Sequence, residues 1–513
     1  MCYGMNGRAL LALTLIVGAT AAPAGAASAG RGTDDKDPLD WAACDEDDDL
    51  GIALEGVQCA RLDVPVDHAR PEGDELQLGV LRVPASGPDD QRIGALLVNP
   101  GGPGATAREL AGELGELLPD AVLRRFDVIG VDPRGTGASE VDCDYDETEL
   151  FGADPVVEGD EEAAALIAVN QDYVAACREE AGDVLPHLGT RDAARDLDAV
   201  RDALGDEQIS YLGFSYGTVL GQTYAQMFPE RVRAMVLDGA VPLGPAGIDL
   251  AHGQAVGFEQ ALVAFAQNCN AQPDCPASPD ALGAVTELMM RTQQTPVPAE
   301  PRDLGIGELE TGLALPLYDQ SMWHDLATAV EAALLGNGTR LVRMADEYIE
   351  DGNVDLYFAV NCIDLAWPTG PEGPGELIAA GAAAEADAPR FGDSITNQYL
   401  PCTMWPVPAD PLTPAGPLPP SAAAALVVAT TDDPATPYQG GVDLARQLGG
   451  VLLTHEGEGH TIVGQGLDCI DGAVADYLVD LELPAPGTTC SSPPPSDDPT
   501  DPTDGTVAAD GST

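Results

Sequence analysis

Apolar and polar residues alternate along CARLDVPVDHARP and again along DELQLGVLRVPA, with a Pro-Glu-Gly turn between the two runs. A period of two broken by such a turn predicts a β-hairpin. The pattern then changes. IGALLVNPGGPG, FDVIGVDPRGTG and ISYLGFSYG are short continuous apolar runs that each enter a glycine-containing turn, and an amphipathic helix through RDLDAVRDAL precedes the last. GTVLGQTYAQMFPE reads as a helix ending near Pro229, and RVRAMVLDGA as another buried strand. Strands too apolar to alternate, interleaved with amphipathic helices, predict an α/β fold: a mostly parallel sheet with helices on both faces. From about 245 to 405 the rhythm stops, and helical stretches such as GFEQALVAFAQNC and LATAVEAALLG are separated by proline-rich loops. That segment reads as an inserted, mainly helical cap. Strand-loop-helix order returns at AAAALVVATTDD and GGVLLTHEGEGH.

The flanks have a different texture. Residues 1–29 carry Arg8, an apolar run over 9–20 and small-residue sites at Ala24-Gly25-Ala26 and Ala27-Ser28-Ala29. This is the pattern of a cleaved export signal, so the expected location is extracellular, with no stable membrane insertion after cleavage. Residues 30–50 read as an acidic linker. Its Asp45–Asp49 run lacks the spaced ligands and turn glycine of a calcium loop. Residues 491–513 are rich in Pro, Asp and Thr, with too few apolar side chains to fold. The expected organisation is therefore 51–244 and 406–490 as two parts of one core, split by the 245–405 cap.

Composition narrows the function. The formal net charge is −62, and Lys36 is the single lysine. Such a surface repels phosphate backbones, which excludes nucleic acid as the expected partner. It attracts cations, protonated peptide amines among them, within a screening length of roughly 8 Å. Of 11 cysteines, Cys2 falls in the signal. The other ten are even in number, as disulfides in an exported chain require. Pairing in sequence order is expected: Cys44–Cys59, Cys143–Cys177, Cys269–Cys275, Cys362–Cys402 and Cys469–Cys490. No C-x-x-C pair occurs, so no metal site is expected.

The candidate chemistry centres on Gly213-Phe214-Ser215-Tyr216-Gly217. A serine hydroxyl needs a base to take its proton as it attacks. A strand-turn-helix elbow with flanking glycines exposes it for that purpose. The base should be a histidine on a loop after a late strand, with its orienting acid earlier in the chain, in the order of α/β-hydrolases. His460 follows a glycine-containing loop, whereas His455 continues the strand and reads as structural. The acid comes from DDPATPY. Asp433, 27 residues before His460, is preferred to Asp432, since neighbouring carboxylates cannot both face one imidazole. The oxyanion donors are the backbone N–H of Tyr216 and, from NPGGPGA, Gly102 with Gly101 close behind. No metal or organic cofactor is needed.

NPGGPG (99–104), DVIGVDPRGTGAS (127–139), GFSYG (213–217), FPERVRAMVLDG (228–239), CIDLAWP (362–368), PCTMWP (401–406), DPATPY (433–438) and GEGHT (457–461) together resemble a known family. It comprises the secreted actinobacterial tripeptidyl aminopeptidases, α/β-hydrolases related to proline iminopeptidases. The resemblance implies release of short peptides from free N-termini beneath a cap, with Ser215, Asp433 and His460 as triad and Thr436 beside the acid. It also implies an acid that holds the substrate ammonium, for which Asp364 and Asp238 are candidates, with a structural role the alternative for both. The Asp432-Asp433 doublet departs from the family pattern. An esterase using the same triad is the alternative, and a non-catalytic hydrolase-like binding protein a third reading.

Overall fold

Strands β1 (Gln58–Pro65) and β2 (Glu75–Val83) form the expected antiparallel hairpin, and β2 joins it to the sheet by pairing antiparallel with β4. The remaining strands run parallel: β3 (Gly94–Asn99), β4 (Phe126–Val131), β5 (Ile209–Phe214), β6 (Val232–Asp238), β7 (Leu426–Asp432), β8 (Val451–Glu458) and β9 (Thr489–Ser491). Their spatial order is β1-β2-β4-β3-β5-β6-β7-β8-β9. Every residue of β3, β4 and β5 is buried, as strands covered on both faces require. Each fully buried Leu, Ile or Val contributes about 1.5–3 kcal/mol. This computed structural model describes residues 39–44, 50, 52, 56–350, 353–414, 416–419 and 424–491. The expected export signal, most of the acidic linker and the tail beyond Ser491 lie outside them.

The helix Thr190–Leu204 shows how the pattern becomes packing. Ala193, Ala194, Leu197 and Val200 share its buried face, and Gly205, at φ 74°, ends it in the left-handed conformation that favours glycine. Between β6 and β7 the chain runs through helices from Gly247–Ala271 to Leu400–Thr403. Much of this region packs around its own apolar cluster, including Phe258, Leu262, Phe265, Leu309, Leu313 and Trp323. Two further helices, Glu147–Gly152 and Asp160–Glu180, lie between β4 and β5 and join this cap side of the molecule. The backbones come close there: a Cβ on Gly307 would fall 2.3 Å from the Phe151 carbonyl oxygen. The periodicity did not mark these two helices as part of the roof.

All five disulfides pair in sequence order. The linker ends earlier than its composition implied. Leu39 is fully buried, Trp41 lies under the Arg82 guanidinium at 4.1 Å, and Cys44 is tied to Cys59 on β1. These contacts make 39–44 part of the fold. Among the described residues no helix is long and apolar enough to cross a membrane.

Candidate active site

Strand β5 ends at Phe214, and the helix Tyr216–Met227 begins two residues later, so Ser215 carries the whole reversal. Its backbone sits at φ 53°, ψ −124°, a strained conformation for a residue with a side chain. The turn is tight enough to demand glycine on both sides. A Cβ on Gly213 would come within 2.5 Å of the Gly217 carbonyl oxygen, and one on Gly217 within 2.6 Å of the Asn99 carbonyl oxygen.

Asp433 and His460 lie just beyond the ends of β7 and β8 and meet each other. Asp433 is held as an acceptor from three directions. Its Oδ1 accepts the N–H groups of Ala435 (2.9 Å) and Thr436 (2.8 Å), and its Oδ2 accepts the Thr436 hydroxyl at 2.7 Å. His460 Nδ1 lies 2.9 Å from both carboxylate oxygens. That geometry places the proton on Nδ1 and leaves Nε2 as the basic nitrogen. Nε2 is buried and has no hydrogen-bond partner among the described residues. The imidazole is therefore bonded on its Asp433 side and unpartnered, among the described residues, on its Nε2 side. Catalytic hydrogen bonds commonly tighten only once substrate is bound.

The loop after β3 lies against the elbow. A Cβ on Gly101 would fall 2.6 Å from the Phe214 carbonyl oxygen and 2.9 Å from both Ser215 Cβ and Tyr216 N. Gly101 donates its N–H to Asn99 Oδ1 at 3.1 Å. The Gly102 N–H makes no hydrogen bond among the described residues, and Tyr216 begins a helix, where backbone donors are unpaired. Gly102 and Tyr216 line one cavity with Ser215, whereas the Gly101 N–H is committed to Asn99.

Ser215, Gly102, Tyr216 and Thr436 open onto a cavity roofed by the cap. Its walls are mainly apolar and aromatic, with Phe258, Tyr318, Tyr348, Tyr357, Phe358 and Tyr399 among them. Among the described residues, the charged groups of the wall are Glu310 and Asp364, and no Arg, Lys or His lines it.

A family model described as TAP-like protein matches residues 388–490. The chain is 36% identical to serine protease Hip1 of Mycobacterium tuberculosis, over 88% of this chain and 91% of that protein. It is 38% identical to carboxylesterase B of the same organism, over 88% and 89%. It is 31% identical to the tripeptidyl aminopeptidase of Streptomyces lividans, over 92% and 89%. The chain belongs to the TAP-like α/β-hydrolase family. It is a serine hydrolase, and these relatives carry both peptidase and esterase names.

Within this TAP-like hydrolase the two aspartates expected to face substrate are placed differently. Asp238, the last residue of β6, is fully buried and does not line the cavity. Its Oδ2 accepts the N–H groups of Ile462 (2.7 Å) and Val463 (2.8 Å), which corrects its expected role. Burial raises its pKa to about 6 despite those two donors. Asp364 does reach the cavity wall, but its Oδ2 accepts both the N–H and the hydroxyl of Thr190, the first residue of helix Thr190–Leu204. Tyr216 Oη lies 2.7 Å from the same hydroxyl. Asp364 therefore supports the residue that follows the serine. Burial raises its pKa to about 7, opposed by the Thr190 hydrogen bonds.

The doublet separates by exposure: Asp432 is exposed and bonds the Thr431 hydroxyl, while Asp433 is buried. His455 lies within β8 with Nδ1 3.3 Å from Thr430 Oγ1, away from the serine.

Two residues of the TAP-like site were not singled out from sequence. Tyr318 of the cap accepts the His460 N–H on its carbonyl at 3.0 Å and packs its ring edge-on against the imidazole at 5.5 Å. Glu310 lies in helix Ile306–Ala314 and is only 5% exposed. Its Oε2 has no hydrogen-bond partner among the described residues. Burial, then the charges of Asp154 and Asp393, hold its pKa well above the carboxylate range, with Ser394 opposing. A signal existed: Glu310 interrupts the apolar face that continues through Leu313 and Ala314 at i+3 and i+4.

Proposed function

We propose that this chain is an exported serine exopeptidase that releases short peptides, tripeptides foremost, from free N-termini. Ser215 attacks the peptide carbonyl while His460 Nε2 takes its proton, and Asp433 holds the imidazole and offsets the charge it gains. The oxyanion forms against the Gly102 and Tyr216 N–H groups. His460 then protonates the departing amine. Water, deprotonated by the same imidazole, releases the acyl group from Ser215.

The observation that carries this reading is Glu310. A buried carboxyl with an unpartnered oxygen, in a cavity wall that contains no cation, is complementary to a substrate ammonium. While the cavity is empty, burial favours the neutral acid; an arriving ammonium supplies the positive charge that allows it to ionise. An ester substrate has no use for such a group. Five disulfides are consistent with action outside the cell.

The test compares a free tripeptidyl anilide, its N-acetyl derivative and a short-chain nitrophenyl ester on wild type and Glu310→Gln. A desolvated charge pair that loses one partner costs about 2 kcal/mol or more, so kcat/KM for the free peptide should fall at least ~30-fold. The ester rate should change little. Equal cleavage of free and acetylated peptides by wild type excludes the exopeptidase. Turnover of the ester with every peptide left intact identifies the esterase instead, the reading that likeness to carboxylesterase B supports. No turnover of either class leaves the binding protein.

A further inference from the structure

We propose that Asp238 is a positioning residue that clamps the loop carrying His460 onto the nucleophile elbow, so that base and nucleophile move as one unit. Its backbone carbonyl accepts the Ser215 N–H at 2.9 Å. Its carboxylate accepts the N–H groups of Ile462 and Val463, two and three residues past His460. One residue at the end of β6 is thus bonded both to Ser215 and to the loop that carries His460. The next residue, Gly239, completes the junction. A Cβ there would stand 3.1 Å from His460 Cε1, 3.0 Å from Thr461 Cγ2 and 3.2 Å from Thr436 Oγ1, so the backbone itself is the floor beneath the imidazole.

The loop has reason to need a clamp. Gly459 (φ 106°) and Thr461 (φ 63°) place left-handed backbone on both sides of His460, and Thr461 is β-branched. Such a conformation persists only where its surroundings over-determine it. Asp433 fixes the ring through Nδ1, and Tyr318 fixes the His460 N–H from the cap side. Asp238 reaches the loop from the end of β6, where its backbone carbonyl also holds the Ser215 N–H. Its Oδ1 is buried without a partner among the described residues, an uncompensated cost of keeping a carboxyl at this junction.

The proposal rests on Ser215 as nucleophile and His460 as base, but not on the identity of the substrate. The test is therefore the rate at which a fluorophosphonate probe labels the serine, measured at 20 °C beside the thermal midpoint, kcat and KM. Asp238→Asn keeps an acceptor of the same shape. Asp238→Glu keeps the charge but pushes the Ile462–Val463 amides outward, and Asp238→Ala removes the acceptor. A displacement on the order of 1 Å slows chemistry about 100-fold. Glu and Ala variants that remain folded should thus label and turn over ~30- to 100-fold more slowly at nearly constant KM, and the Asn variant should recover to within ~10-fold. Wild-type labelling in a folded Glu or Ala variant overturns the clamp, whatever happens to the thermal midpoint. Labelling that survives Ser215→Ala refutes the nucleophile and the clamp with it. Labelling lost in Ser215→Ala yet normal in the Asp238 variants refutes the clamp alone.

Discussion

Asp433→Asn gives the sharpest test of the acid assignment, because the surrounding bonds dictate how the amide must sit. If the new NH₂ took the Oδ1 position, it would face the N–H groups of Ala435 and Thr436 and leave two buried donors unpaired. At about 1–3 kcal/mol each, that orientation is disfavoured by about 2–6 kcal/mol. The amide oxygen therefore occupies the Oδ1 position and the NH₂ the Oδ2 position, where Thr436 Oγ1 can turn to accept from it. The NH₂, 2.9 Å from Nδ1 of His460, competes with the acceptor retained at the Oδ1 position and favours the tautomer with its proton on Nε2, the atom that should receive the serine proton. The wrong tautomer, together with a lost counter-charge, should lower kcat by about 10⁴-fold, or about 5.5 kcal/mol of transition-state stabilisation. The thermal midpoint should barely move, since the network around position 433 is preserved. Asp432→Asn, at an exposed carboxylate bonded to Thr431, should stay within about 2-fold of wild type. Steady-state turnover and fluorophosphonate labelling read the effect independently. Similar losses in the two variants, or a loss below about 10-fold in Asp433→Asn, would refute the assignment.

Ser215→Ala should abolish fluorophosphonate labelling and lower kcat by about 10³-fold or more with the thermal midpoint preserved; unchanged labelling by mass spectrometry would contradict it. Stability should depend on pH through Asp364. Its pKa is about 7 in the folded chain against an ordinary 3.8, so between those values the folded state holds a proton that the unfolded state has lost. That contribution is fully present below about 4 and is lost as pH rises through 7. Asp364→Asn should therefore flatten the fall in thermal midpoint between pH 5 and 8, and an unaltered slope would rule the group out. Replacing both Cys362 and Cys402, which close a 40-residue separation, should cost about 4 kcal/mol by loop-closure entropy. Denaturant titration reads that loss, and a change under 1 kcal/mol would show that the cap end does not depend on the tie.

The parallel sheet was legible because its strands are apolar on both faces and end in glycine turns, and the serine elbow because its sterics admit few sequences. His460 and Asp433 could be located because each must follow a particular strand. The charge proposed to face substrate could not be located in the same way. Asp364 and Asp238 are acids in distinctive motifs, yet each is occupied by backbone N–H groups that only the folded chain brings near. Glu310 is the reverse case: an undistinguished residue in a helix whose neighbours, Asp154 and Asp393, arrive from distant segments. Hydrogen-bond commitment across 170 or more positions, as between Thr190 and Asp364, has no local signature.

The close approach of Gly307 to the Phe151 carbonyl joins the inserted helices to a segment that precedes the nucleophile. The Asn397 amide on the Pro155 carbonyl and the Asp355 carboxylate on the Cys143 N–H and the Tyr173 hydroxyl repeat the join. A roof fastened along more than one wall does not swing open like a door. On the exopeptidase reading proposed above, a loose chain terminus threads beneath such a roof where a folded domain is turned away.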